Sequence, residues 1–514
     1  MQKKSLSWSV MACAVAGALA LSGCTGSGAD SDAAVEQKLH FGFSAEAPAL
    51  IAGADQGASG MMMNSLLHRG LVAYDEKGEV EPALAAEFEQ VAANEYRFVL
   101  REGLTFHDGS PVTLDNVKAT YKYYADPGNG AAFATAFANI DSIEEGADGE
   151  FTIKLKQNNG VFLENLADPN TPILPDSALN KSVDNVIGAG PFTLGEKVTG
   201  VGLTVEHFDG YYESGEVALD EIQITYYKDS AARVNSLLGG DVDIIDYVPW
   251  ESFAQIEDAS GFSLTSKDGP GNQMHFNTNV APWDNPKVRQ AVAYAIDREA
   301  IVNSVFYGNA KPIYGVAVEE GSEYDIPEAT AMWEYNPEKA KKLLAEAGYP
   351  NGFSSTMLGT SQYEFSQDIT ISVQSDLKEI GINLELELTD FPTMVEKLGA
   401  CDYATNGGGA VVSPVTDPSY LLSYVTGKFI YHPCGYENDE LTGLLQSGLA
   451  AETDEERLAD YKKAFQIIQE EAPFVQLAQR GQAFGVSDKV KGFEMLPGFK
   501  VSMSGLNFTN VTVQ

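Results

Sequence analysis

The chain has 514 residues, of which 44% are hydrophobic and 10% aromatic, enough for two or more domains with cores of their own. Lys and Arg number 33 against 73 Asp and Glu, and the formal charge of -40 repels phosphate backbones and anionic headgroups, which excludes nucleic acid as a partner. The six histidines never fall within four residues of one another, so no local histidine metal motif exists and neither metal nor cofactor is expected.

Residues 1–23 read as an export signal. Lys3 and Lys4 make the positive start, an apolar run from Val10 to Leu21 is too short to span as a mature helix, and small residues follow. Leu21-Ser22-Gly23-Cys24 resembles a bacterial lipobox, which implies cleavage before Cys24, lipidation of its thiol and a membrane tether. Residues 24–37 are small and polar and form that tether.

Residues 39–43 predict a strand, 61–70 a helix, and 95–100 a strand. Leu104 to Thr113 spell LTFHDGSPVT, with a turn at Asp108-Gly109 and a cap at Thr113 for a helix whose inner face is Val117, Tyr121 and Tyr124. The adjacent His107 and Asp108 invite a catalytic role, but turn and cap account for them as a structural corner. Strands follow at 151–156 and 219–227, then a helix through Val234, Leu237 and Leu238. Asp241 and Asp243 share one side of the next strand without a third ligand at calcium-loop spacing.

From 272 to 308 the pattern is an extended segment and two helices. Asn285-Pro286 starts the first, whose stripe is Val288, Ala291, Val292, Ala295 and Ile296, with Lys287, Arg289 and Gln290 off it; Asp297 caps the second and Gly308 ends it. Asn336-Pro337 starts a helix ending at Gly348, and Ile369, Val373, Leu377 and Ile380 mark another that feeds the alternating strand from Ile382 to Leu388. Thr453 and Glu456 predict a capping box, and Pro473 closes that helix. With Cys13 in the signal and Cys24 lipidated, Cys401 and Cys434 remain. In an exported chain they suggest one disulfide, two buried free thiols being the alternative.

Strands and helices alternate without a repeat, so the class is α/β. The words FNT, VRQAVAYAIDREAIV, LTFHDGSPVT with DNV, GAGPF and YNPEKAKKLLAEAGY resemble the dipeptide, oligopeptide and nickel family of extracellular solute-binding proteins, which serve ATP-driven importers. The resemblance implies a two-lobed periplasmic-binding-protein-like fold with a hinge and an additional subdomain in the first lobe. Lobe 1 would take residues 38–72, 187–270 and 481–514, with its subdomain at 73–186, and lobe 2 would take 271–480. It further implies a monomer that captures a peptide or other small solute, partners a permease and ATPase subunits, and sits by its lipid on the outer face of the cytoplasmic membrane or in the periplasm.

On family-matched segments the cleft candidates are Phe133, Trp250, Asn272, Thr360, Asp417 and Tyr420. Pro414 stands where peptide binders place an aspartate for the amine, Thr360 where dipeptide binders place an arginine for the carboxylate, and Ser419 where nickel-chelate binders place a histidine. Burying either charge of a dipeptide without a partner costs several kcal/mol, so longer peptides or a mostly uncharged solute are favoured, with Asp417 the candidate for an amine. No Gly-x-Ser-x-Gly elbow, His-Glu-x-x-His or phosphate-binding loop is present, but distant residues assemble triads, so a secreted lipoprotein hydrolase acting on peptides or glycans is the rival class.

Overall fold

Eleven strands join one mixed sheet among the described residues, which in this computed structural model are 37–147, 149–180, 184–411, 417–427 and 431–514. In chain order they are β1 (Lys38–Phe43), β2 (Phe192–Val198), β3 (Gly202–His207), β4 (Glu221–Tyr226), β5 (Ile244–Ile245), β6 (Phe262–Phe276), β7 (Ala310–Pro312), β8 (Phe353–Thr360), β9 (Ile382–Thr389), β10 (Thr405–Val411) and β11 (Phe474–Ser487). Across the sheet the order is β9-β8-β10-β6-β11-β5-β1-β4-β3-β2, with β7 also on β11. The export signal, Cys24 and all of the tether but Gln37 lie outside the described residues.

β1 runs parallel to both β4 and β5, and Leu39 and Phe41, on one face of it, are wholly buried while Lys38 and His40 on the other are half-buried. β9, at the far edge, buries Ile382 and Leu384 and exposes Asn383 and Glu385, the period-2 pattern of a strand with one wet face. Between these ends, β6 and β11 pair antiparallel from Phe262 opposite Ser487 to His275 opposite Phe474. Their register shifts twice, between Asp268 and Gly271 and between Asn272 and Gln273. On one side of the shifts Phe484 and Val486 pack with Leu39 and Phe41; on the other Met274, Phe276, Phe474 and Val475 join a separate core. The same two strands therefore serve two cores.

The core that takes in Met274 and Phe276 is built on α1 (Pro286–Ala295) and α2 (Arg298–Val305). Asn285 Oδ1 accepts from Lys287 N at 3.0 Å and Asp297 Oδ1 from Ala300 N at 3.0 Å, satisfying the exposed donors of both helix starts. Val288, Ala291, Val292 and Ile296 are fully buried, so the apolar stripe faces the core. Arg289 departs from the sequence expectation, because it is buried rather than turned to solvent. Its Nε donates to the carbonyls of Glu471 and Ala472 at 2.9 and 3.1 Å, and its Nη1 to that of Trp283 at 2.8 Å. The first two belong to the end of α4 (Asp454–Glu471), where carbonyls lack helical partners. Ala472 closes that helix in the left-handed region at φ 43°, just before Pro473.

The subdomain is a four-stranded antiparallel sheet formed by Ala85–Ala92, Glu95–Leu100, Glu150–Leu155 and Ile140–Glu145. The helix Leu114–Ala125 packs Val117, Tyr121 and Tyr124 onto its core. Thr113 and Asn116 cap that helix reciprocally. Asp108 Oδ1 accepts from Ser110 N at 2.9 Å, and His107 is stitched to the Gly188 N–H at 3.1 Å, so both residues are held in a corner. A Cβ at Gly188 would lie 2.1 Å from the Leu67 carbonyl oxygen, so this close approach requires a glycine.

Cys401 and Cys434 are disulfide-bonded, and Asn277 Nδ2 donates to the carbonyls of Cys401 and Tyr403 at 3.0 and 2.9 Å beside them. His432 approaches both sulfurs, but the bond leaves neither as a thiolate for a metal. The pair is separated by 33 residues in sequence. Closing such a loop removes about 3–4 kcal/mol of chain entropy from the unfolded state. The Cys401→Ser/Cys434→Ser variant should unfold in urea with a stability lower by about that amount, matched by the wild type under reductant.

Candidate functional site

β6 and β11 separate two groups of chemically active side chains. On one side is a cleft of about 360 Å³, within the range of roughly 300–1,000 Å³ that small-molecule sites occupy. It is lined by Lys77 and Glu79, by Lys267, Asp268 and Gln479 of the crossing strands, by Glu319, Glu320 and Tyr420, and by Lys500 of the C-terminal segment. Cations and acids are interleaved. Lys311 holds Asp268 at 2.7 Å and Glu320 at 2.6 Å across the strand edge. Lys500 is 8% exposed; its ammonium donates to the Gly78 carbonyl at 2.8 Å and sits 4.3 Å over the Tyr74 ring.

On the other side Arg480 of β11 lies beneath aromatic rings. Its guanidinium is 4.9 Å from the centre of Phe365, on α3 (Glu364–Glu379). Burial lowers its pKa, while Tyr247 and Tyr431 act in the opposite sense. Trp250 donates its indole N–H to the Gly481 carbonyl at 2.6 Å and meets Phe306 and Phe365 edge-on at 4.9 and 5.7 Å. Asn272 faces the same way: it is opposite Ala478, two residues from Arg480 on one strand. Tyr247 stands at φ 45°, which a non-glycine residue holds only when its surroundings fix it. Arg233 does so, donating to the Asp246 and Tyr247 carbonyls at 3.0 and 2.7 Å. The Asp246 carboxylate, raised to about 6 by burial, accepts from Ser44 N and Oγ at 2.7 Å each.

The sequence candidates scatter over these features. Tyr420 lines the cleft and donates its hydroxyl to the Ala317 carbonyl at 2.9 Å, while Trp250 and Asn272 flank Arg480. Phe133 is partly buried against the subdomain core. Thr360 ends β8, 1% exposed, with its hydroxyl on the Thr389 carbonyl at 3.1 Å. Asp417 is buried and accepts from Tyr461 at 2.5 Å, Tyr324 at 2.9 Å and Ser419 N at 2.7 Å, so its oxygens are committed to protein donors. Ser419 is buried too, and Pro414 lies outside the described residues. Arg480, Tyr247, Phe365 and Tyr431 were not among the candidates. One signal was available: Arg480 is the lone charged residue in the fourteen of β11.

Residues 79–431 match the family described as bacterial extracellular solute-binding proteins, family 5 Middle. The glutathione-binding protein GsiB of Shigella flexneri is 27% identical over 465 residues, covering 87% of this chain and 89% of that protein. Among solved structures, the PBP AgaA from A. tumefaciens in complex with agropinic acid is 35% identical with a TM-score of 0.83, covering 93% and 99% of the two chains. The oligopeptide-binding protein AppA from Bacillus subtilis, in complex with a nonapeptide, shares the fold at 23% identity and a TM-score of 0.78, with 93% and 99% covered.

Two variants test the structural roles of buried polar groups near these features. Asp417→Ala strands two buried tyrosine hydroxyls and should cost about 2–4 kcal/mol in chemical denaturation. His275, on β6, is fully buried between Tyr403 and Tyr431, and burial, aided by His432, holds its pKa at about 3. The unfolded chain takes up that proton below about 6.5 and the folded chain does not, so this group destabilises increasingly as pH falls from about 6.5 towards 3. His275→Phe should therefore lose about 2 kcal/mol less stability than wild type between pH 7 and pH 5, read from urea midpoints.

Proposed function

Because this chain belongs to family 5 of the bacterial extracellular solute-binding proteins, we propose that the solute it captures between its two lobes is a peptide or a peptide-sized amino-acid derivative. It is the binding component of an ATP-driven importer and not an enzyme, as the members of this family are. The observation that carries the solute class is the cleft itself: its volume suits a molecule of a few residues, and its interleaved lysines and carboxylates suit one bearing both charges. The relatives that bind glutathione and agropinic acid support the same size range.

Exchange between open and closed lobes turns about the irregular stretch of β6 and β11, with 38–72, 187–270 and 481–514 in lobe 1, 73–186 as its subdomain and 271–480 in lobe 2. A solute that binds the closed form better shifts the population towards it, and a permease that recognises the closed form then receives only loaded protein. Trp250 connects the lobes, since it comes from the first and packs on Phe306 and Phe365 of the second. The lipobox-like LSGC supports lipidation at Cys24, which holds a monomer on the outer face of the cytoplasmic membrane by the tether 24–37.

Native mass spectrometry of gently purified protein tests this function. One equivalent of an unmodified solute per chain is expected, and a ligand at a hundredfold excess over its dissociation constant should stabilise the fold by about 2.7 kcal/mol. Release of a modified product in many equivalents would instead mean the hydrolase.

A further inference from the structure

The chain has eight arginines. Arg69, Arg233, Arg289 and Arg298 are buried and donate to backbone carbonyls. Arg97, Arg101 and Arg457 donate to carboxylates. Arg480 differs from all seven: its guanidinium makes neither a hydrogen bond nor an ion pair among the described residues, in a chain with 73 acids, and its Nε is buried. A half-buried guanidinium with no anion beside it is partly desolvated without compensation, so a fold that keeps one has a use for it.

The surroundings define that use. The guanidinium lies 4.9 Å from the centre of the Phe365 ring with none of its N–H groups spent on an acceptor among the described residues, and such a fork matches the two oxygens of a planar carboxylate. The Oδ1 of Asn272, on the same face of the crossing strands, is likewise buried without a partner. Tyr247 follows β5, Tyr431 packs with Leu358, Met394 and Leu398, and both tyrosines bear electrostatically on Arg480. The strained turn at Tyr247 is fixed from behind by Arg233, whose own donors are all directed to carbonyls.

We propose that Arg480 receives the solute's carboxylate on the aromatic side of β6 and β11, rather than among the lysines of the cleft on their other side, with Asn272 accepting from a neighbouring donor of the same solute. It rests on the solute-binding function proposed above and narrows it to anionic or zwitterionic solutes. It also replaces the expectation of a mostly uncharged solute, which followed from Thr360 standing where an arginine anchor was sought. The cation is present, but on β11.

The test compares a pool of tripeptides with free C-termini against the same pool amidated, by titration calorimetry on the full chain, in wild type, Arg480→Gln and Arg480→Lys. Wild type should prefer the free acids by about thirtyfold, the glutamine variant by less than threefold, and lysine, which keeps charge without the fork, by an intermediate factor. Unliganded melting curves establish that each variant folds, and the lysine variant carries the test if glutamine does not. An unchanged preference in the variants, or equal binding of both pools to wild type, overturns the assignment of Arg480 alone. If neither pool binds, the solute found by native mass spectrometry replaces it as the probe: an anionic solute lost from Arg480→Gln supports the assignment, and a neutral or retained one overturns it. If no solute accompanies the protein and neither pool binds, the solute-binding function falls and Arg480 with it.

Discussion

The antiparallel pairing of β6 with β11 is the constraint on which the rest of the molecule depends. Through β10 on one flank and β5 on the other, it is the route by which strands of both lobes enter a single sheet. A ladder of backbone hydrogen bonds is stiff where register is kept and compliant where it slips, and the slips at Asp268 and Asn272 fall between the two cores. Each lobe can then be a close-packed solid while the molecule still bends.

The same geometry explains where reactive side chains collect. Along its middle, from Gln479 to Gln482, β11 belongs to neither of these two cores, so polar residues there need not be expelled. Gln479 points to the lysine-lined cleft and Arg480 to the aromatic side, one residue apart, as alternation along a strand dictates. Buried arginines elsewhere act as braces. Arg298, fully buried, ties the carbonyls of Ala293 and Gln476 at 3.0 Å each, and Arg289 draws the end of α4 onto α1.

Local rules were sufficient wherever partner and residue are neighbours in sequence. Asn285, Asp297, Thr113 and the stripe of α1 could be read because a cap or a helical face is decided within a few positions. Arg289 was misplaced because its partners are the carbonyls of residues 471 and 472, which no local pattern announces. β11 went unnamed for a related reason: buried over most of its length on both faces, it lacks the alternation that marks a half-exposed strand. For the site, family-matched segments located Trp250, Asn272 and Tyr420 beside the crossing strands, but Asp417 turned inward to Tyr324 and Tyr461, and Arg480 required the strand that had not been seen.

One consequence concerns the order in which the chain becomes available. β11 begins at Phe474, and the last strand-forming residues close on the first, with Gln37 and Val513 exchanging hydrogen bonds at 3.1 and 2.9 Å. A polypeptide that crosses a membrane amino-terminus first must therefore deliver more than nine-tenths of its length before either core has its final strand. Until then both lobes lack a wall, and the emerging chain exposes apolar surface that is otherwise buried. Truncation ahead of β11 does not yield one finished lobe and one ragged lobe; it yields two incomplete ones, and a secretory pathway handling this protein must keep it from aggregating until translocation is nearly complete.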